Sequence, residues 1–256
     1  MSNGEATAST LLGALAILGG RGVWRDGLPD KLRALAVAQP EDEVFLFFAG
    51  HGTEENGRYY LVPSGALPGD VSRAGFVSDR DLEQAVATID AERILLVLDT
   101  CHSGAALQSQ PGERLGPLDN RGLAQLAYEK GILVLAAAQR NQAAWELREL
   151  GHGLLTYALV EEGLRDRRAD RGPVDGSVSA QEWLEYAVER VPDLMVRALG
   201  SAFVRGDLSD PDLIRVMGST ARGTREVIDA ATLQRPRAYV RRGAPPLLVM
   251  GHAGLQ

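Results

Sequence analysis

Three short apolar runs constrain the fold of this chain more tightly than anything else in it: residues 44–49 (VFLFFA), 94–98 (ILLVL) and 132–138 (ILVLAAA). Each is continuous rather than alternating, the pattern of a strand covered on both faces within a parallel sheet. Helical patterns separate them. Residues 79–89 (DRDLEQAVATI) follow a cap at Ser78 or Asp79 and carry apolar residues at helical spacing. A shorter pattern covers 121–129, and two more follow the third run, at 153–164 (GLLTYALVEEGL) and 179–190 (SAQEWLEYAVER). Ser179 and Glu182 form a capping box for the last of these. The alternation predicts an α/β fold of three layers, with helices on both faces of a mainly parallel sheet and right-handed crossovers. One more strand is expected at 246–251 (PLLVMG), at a sheet edge because proline opens it.

Composition removes several classes of function. The net charge of −7 and the 5% aromatic content leave neither the clustered cations nor the stacking platform that nucleic acid requires. A single cysteine, Cys101, excludes an intrachain disulfide framework, and four scattered histidines without HExxH or CxxC spacing build no metal site. Residues 11–18 (LLGALAIL) are apolar but too short to span a membrane, and no basic residue precedes them. They read as a buried helix face, and the protein as cytoplasmic with no membrane partner. The 256 residues suit one sizeable domain. Its expected bounds are 1–200, with a C-terminal extension at 201–256 that completes or flanks it, since regular patterning weakens beyond about 205.

The chemistry gathers where two of the runs end. The first leads into Gly50-His51-Gly52 and the second into Asp99-Thr100-Cys101-His102-Ser103-Gly104. If the two strands are parallel neighbours, both motifs leave the same carboxyl edge of the sheet, where open α/β folds place their sites. A thiol facing an imidazole is the pairing of nucleophilic cysteine catalysis, because the imidazole can draw off the thiol proton or stabilise the thiolate. Glycines beside His51 let a substrate backbone approach. The N–H groups of Gly52 and Cys101 could then point at a developing oxyanion, each such donor being worth about 3 kcal/mol. The blander reading of Cys101 is a small buried hydrophobe. His102 competes with His51 for the role of base, although its side chain is expected to point away from that of Cys101. His152 reads as a cap or packing residue, and Trp145 and Trp183 as core.

FFAGHG followed by LLVLDTCHSG resembles the caspase and metacaspase superfamily of cysteine peptidases, and more closely its bacterial metacaspase-like (orthocaspase) members. The fifty residues between His51 and Cys101 agree with caspase spacing. GRYYLVPSGA, LAAAQRNQAAWE, HGLLTYALVEEGL and DGSVSAQEWLEYAVERVP extend the resemblance over roughly residues 3–191, and QRP at 234–236 more faintly. It implies a caspase-like fold and a cysteine endopeptidase acting on protein or peptide substrates. Cys101 is then the nucleophile, His51 the general acid/base, and Gly52 with Cys101 the oxyanion hole. Asp99 falls where metacaspases carry an acidic residue lining the S1 pocket, joined by Ala138 and Asn141, which implies cleavage after Arg or Lys. Asp99 as an ordinary strand-end carboxylate remains the alternative. Arg140 stands where metacaspases often add a second acidic residue.

Three further expectations come with that family. Arg114 or Arg121, in the stretch after the nucleophile, is the candidate self-cleavage site. No cofactor is required by the sequence; calcium is implied by family analogy alone, with Asp79 and Asp81 as oxygen donors. The family's first strands have no counterpart before NGEATAST, so the domain is expected to be truncated at its N-terminus. The VFLFF strand would then form an exposed apolar edge, covered by a partner or by the missing segment. The rival function is a catalytically inactive caspase-fold interaction module, and a further alternative is a CHAT-type or gingipain-type peptidase with another P1 preference.

Overall fold

The computed structural model describes residues 4–22, 27–55, 58–66, 75–102, 127–128, 130–137, 146–147, 152–205, 234–240 and 246–251. A six-stranded sheet lies at the centre, in the order β3-β2-β1-β4-β5-β9. Strands β1 (Glu43–Glu55), β4 (Arg93–His102) and β5 (Leu133–Ala136) form its parallel core. Strands β2 (Arg58–Val62), β3 (Val77–Ser78) and β9 (Arg237–Tyr239) flank that core with antiparallel pairing.

Burial explains why the central strands hold. Residues 94–98 of β4 are each at most 2% exposed, so both faces are covered, as their continuous apolar run implies. One face packs through Ile94, Leu96 and Leu98 against helices α1 (Ala8–Leu18) and α3 (Asp79–Ala87). Thr7 caps α1 by accepting from the Thr10 amide. Ser78 caps α3 in a capping box with Asp81. The short helix α2 (Asp30–Arg33) precedes β1. On the other face Leu95 and Val97 meet helix α4 (Leu154–Thr156, continuing as a π-helix over Tyr157–Arg165) and helix α5 (Ala180–Arg205). The predicted layers, helices on both sides of a mostly parallel core, are those observed.

Four elements depart from the sequence expectation. Strand β1 is covered on one face only: Phe45 and Phe47 are 53% and 41% exposed. Among the described residues β2 pairs only with His51–Glu55, so the outer edge of 43–50 carries no strand, and Trp183 of α5 meets Phe45 with ring centroids 5.9 Å apart. Second, 154–165 leaves α geometry. Its buried positions fall at 154/155, 158/159 and 162/163, a repeat of four that exceeds the 3.6 of an α-helix and suits the wider π turn. Third, α5 passes through Pro192, where a proline would be read as a stop. Fourth, the expected edge strand at 246–251 does form, as β10 (Leu248–Met250), but it pairs with β8 (Val178–Ser179) and not with the main sheet. The main-sheet edge is instead β9, anchored by Gln234, whose amide Nε2 donates to the Ala137 carbonyl at 3.0 Å. The remaining strands, β6 (Glu146–Leu147) and β7 (His152–Gly153), form a separate pair. Most of the expected 121–129 helix lies outside the described residues.

Helices α4 and α5 are joined by a buried ionic cluster. Glu162, 5% exposed, accepts from Arg190 Nε at 2.5 Å and Nη2 at 2.8 Å, from the Tyr186 hydroxyl at 2.9 Å, and from Arg168 at 3.4 Å. The Arg190 hydrogen bond holds the Glu162 carboxyl below its ordinary value of 4.5, against the opposing effect of burial. Burial, reinforced by Glu162, pushes the Tyr186 phenol up to about 12. Removing one partner of such a cluster leaves a buried charge uncompensated, at a cost of about 3–5 kcal/mol. Glu162→Ala is therefore expected to lower unfolding free energy by that amount in urea titrations. A depressed carboxyl pKa stabilises the fold above its unfolded value and loses that contribution as pH falls through the folded one. The wild type should thus lose stability below about pH 4.5 more steeply than Glu162→Gln, and equal acid slopes would contradict this assignment.

Candidate active site

Ten consecutive residues of β1 pair in parallel with ten of β4, from Glu43 opposite Arg93 to Gly52 opposite His102. Within that ladder His51 is the register partner of Cys101, and Ala49 that of Asp99. Neighbouring strands lie about 4.8 Å apart, so the fifty residues separating His51 and Cys101 in sequence collapse to one strand spacing. The strand does not end at the Gly-His-Gly motif, as the sequence suggested. It continues to Glu55 and turns back into β2, so that His51 faces Cys101 on one side and Val62 on the other. His51 itself is exposed.

The two residues before Cys101 are tied on opposite faces of the sheet, one to helix α4 and the other to strand β2. Asp99, 7% exposed, accepts at Oδ2 from the backbone N–H of Thr156 at 3.2 Å and, at shorter range, from the Thr156 hydroxyl. Thr156 lies in the first turn of α4, whose N-cap, Gly153, has no side chain to accept from the free amides. The carboxylate of β4 takes the place of that cap. Room for it depends on glycine: a Cβ on Gly153 would stand 2.9 Å from Asp99 Oδ2. Thr100, 3% exposed, points to the other face and accepts a 2.6 Å hydrogen bond from the buried Tyr59 hydroxyl of β2. Successive side chains of a strand alternate in direction, so one dipeptide anchors β4 on both faces of the sheet.

Tyr59 also explains Gly52. A Cβ there would lie 1.8 Å from the Tyr59 oxygen and 2.5 Å from its Cζ. The glycine after His51 is thus demanded by the tyrosine packed beneath it, a constraint the sequence reading, which invoked substrate approach, did not contain. Tyr59 lies in GRYYLVPSGA and Gly153 and Thr156 in HGLLTYALVEEGL, yet nothing local assigns them to the site. An N-cap glycine followed three residues on by threonine hints at an external acceptor, but only tertiary structure supplies Asp99.

Other expected residues are distributed differently. Ala138, Asn141, Arg114, Arg121, Arg140 and Trp145 lie outside the described residues. His152 pairs with Leu147 in the β6–β7 ladder, and Trp183 is core at 3% exposure, its indole N–H donating to the Leu159 carbonyl at 2.8 Å. Of the two carboxylates considered for calcium, Asp81 accepts from the Ser78 amide and hydroxyl, and Asp79 approaches Arg58 at 3.6 Å. Among the described residues no group of three or more His, Cys, Asp or Glu side chains is placed to hold a metal ion, and no helix is long and apolar enough to cross a membrane.

A histidine and a cysteine thus stand in register on adjacent parallel strands of an α/β domain with helices on both faces of its sheet. The caspase domain matches residues 25–190, more than half of the chain and the whole of the His51–Cys101 ladder. The chain belongs to that family, whose members are cysteine peptidases with protein substrates. No curated protein matches the sequence.

The Tyr59–Gly52 packing yields a direct test. Gly52→Ala overfills this contact and is expected to cost about 1–3 kcal/mol in urea unfolding. Shortening the partner in Gly52→Ala/Tyr59→Leu should give a total loss smaller than the sum of the single changes. Strict additivity would show that the two side chains do not compete for one volume.

Proposed function

We propose that the protein is a cysteine endopeptidase of the metacaspase type, cleaving after Arg or Lys through Cys101 and His51. The observation that carries this reading is the parallel register of His51 with Cys101. Membership of the caspase-domain family supports it. In this mechanism the Cys101 thiolate attacks the scissile carbonyl, and the N–H groups of Gly52 and Cys101 receive the oxyanion. His51 delivers the thiol-derived proton to the departing amine as the C–N bond breaks, leaving a thioester. It then takes a proton from the water that hydrolyses the thioester, which frees the carboxylic acid and restores the thiol.

Asp99 forms the acidic wall of the S1 pocket, with Ala138 and Asn141 beside it. A carboxylate held in place by hydrogen bonds matches the planar fork of an arginine side chain. Self-processing at Arg114 or Arg121 belongs to the same reading, because both follow the nucleophile and carry the preferred P1 residue. Intact masses of wild type and Cys101→Ala should then differ by a cut between Cys101 and Ile132; identical masses would remove self-processing from the account.

Cys101→Ala and His51→Ala are each expected to abolish hydrolysis of an arginyl peptide while leaving the circular dichroism spectrum of the fold intact. Labelling with an arginyl chloromethylketone should fall on Cys101 in the wild type. Absence of both labelling and turnover would favour the inactive interaction module instead. Turnover retained in either variant would overturn the dyad.

A further inference from the structure

We infer that Thr156 is a positioning residue for substrate selectivity: its amide and hydroxyl orient the Asp99 carboxylate, with Gly153 keeping the space in which that carboxylate sits. The inference rests on the reading of Asp99 as the S1 anion. Both donors come from one residue and both bonds fall on the same oxygen, Oδ2. Two donors from a single rigid unit fix the direction of the carboxylate more tightly than one mobile side chain would.

The platform that carries these donors is itself immobilised. Glu162, six residues further along α4, is bound bidentately by Arg190 of α5. The Trp183 indole fastens the Leu159 carbonyl to the same helix. Asp99 is therefore referenced to the α4–α5 layer, while Thr100 is referenced through Tyr59 to the opposite side of the sheet. Gly153 completes the arrangement. Its φ of −60° and ψ of 152° are ordinary extended backbone that an alanine adopts equally well. Gly153→Ala thus perturbs the site through the 2.9 Å approach to Oδ2 and not through backbone strain.

The test compares matched peptide substrates with arginine or its neutral isostere citrulline at P1, using the full chain. In Thr156→Val, which removes the hydroxyl at constant shape, the arginine-over-citrulline ratio of kcat/KM is expected to fall about tenfold, as befits a lost hydrogen bond to a charged group. The loss should appear in KM for the arginyl substrate. Thr156→Ser should restore most of the ratio, and Gly153→Ala should lower it as Thr156→Val does. A Thr156→Val enzyme that keeps the wild-type ratio while melting earlier would overturn the inference and leave Thr156 as a structural residue only. If Thr156→Val does not fold by circular dichroism, the ratio in Gly153→Ala decides the matter in its place. A wild type without preference for arginine over citrulline would instead overturn the S1 reading of Asp99, a result distinct from failure of Thr156 to support it.

Discussion

The parallel pairing of β1 with β4 is the constraint on which the rest of the molecule depends. Ten register pairs run from Glu43–Arg93 to Gly52–His102, and they decide which residue of the histidine motif meets which residue of the cysteine motif. A slip of one residue would send every side chain of a strand to the opposite face. Asp99 would then leave Thr156 and Thr100 would leave Tyr59, so the two ties would break together. Buried apolar side chains on both faces of β4 oppose such a slip, each worth about 1.5–3 kcal/mol on burial. Core packing and site geometry are in this sense the same constraint.

The ties around Cys101 divide the labour between the two faces of the sheet. On one side a charged acceptor replaces a missing helix cap; on the other a tyrosine hydroxyl reaches a threonine beneath a glycine that cannot be anything larger. The Glu162–Arg190 pair contributes at a distance by holding α4, and so Thr156, against α5. None of these polar groups is solvated in the ordinary way, and a buried polar group is tolerable only when its partners are present.

Much of this was legible in the sequence, for identifiable reasons. The buried run at 94–98, the helix cap at Ser78, the capping box at Ser179 and the paired motifs carrying His51 and Cys101 are local signals, set by residue type and spacing. The illegible features are those made by partners far apart in the chain. Phe45 and Phe47 read as core because an apolar run does not say which face lacks a covering layer. Tyr59 and Thr100 are separated by 41 residues, and Asp99 and Thr156 by 57, so neither bond leaves a periodic trace. The π-helix was hidden because a buried glutamate at 162 looks polar until Arg190 is beside it. Proline 192 concealed the continuation of α5 for the opposite reason, being a breaker by habit that this helix accommodates.

Strand β9 places a limit on how the molecule can be divided. The caspase-domain match ends at residue 190, yet the edge of the central sheet is built from Arg237–Tyr239, and Gln234 just before it is fully buried with its amide on the Ala137 carbonyl. A chain cut at the end of the match would keep His51, Cys101 and both of their strands. It would also strip β5 of a neighbour, leaving a bare apolar ladder open to pairing with other chains. An expression fragment or a prematurely terminated product of that length would hold every residue of the candidate site and still be prone to aggregate.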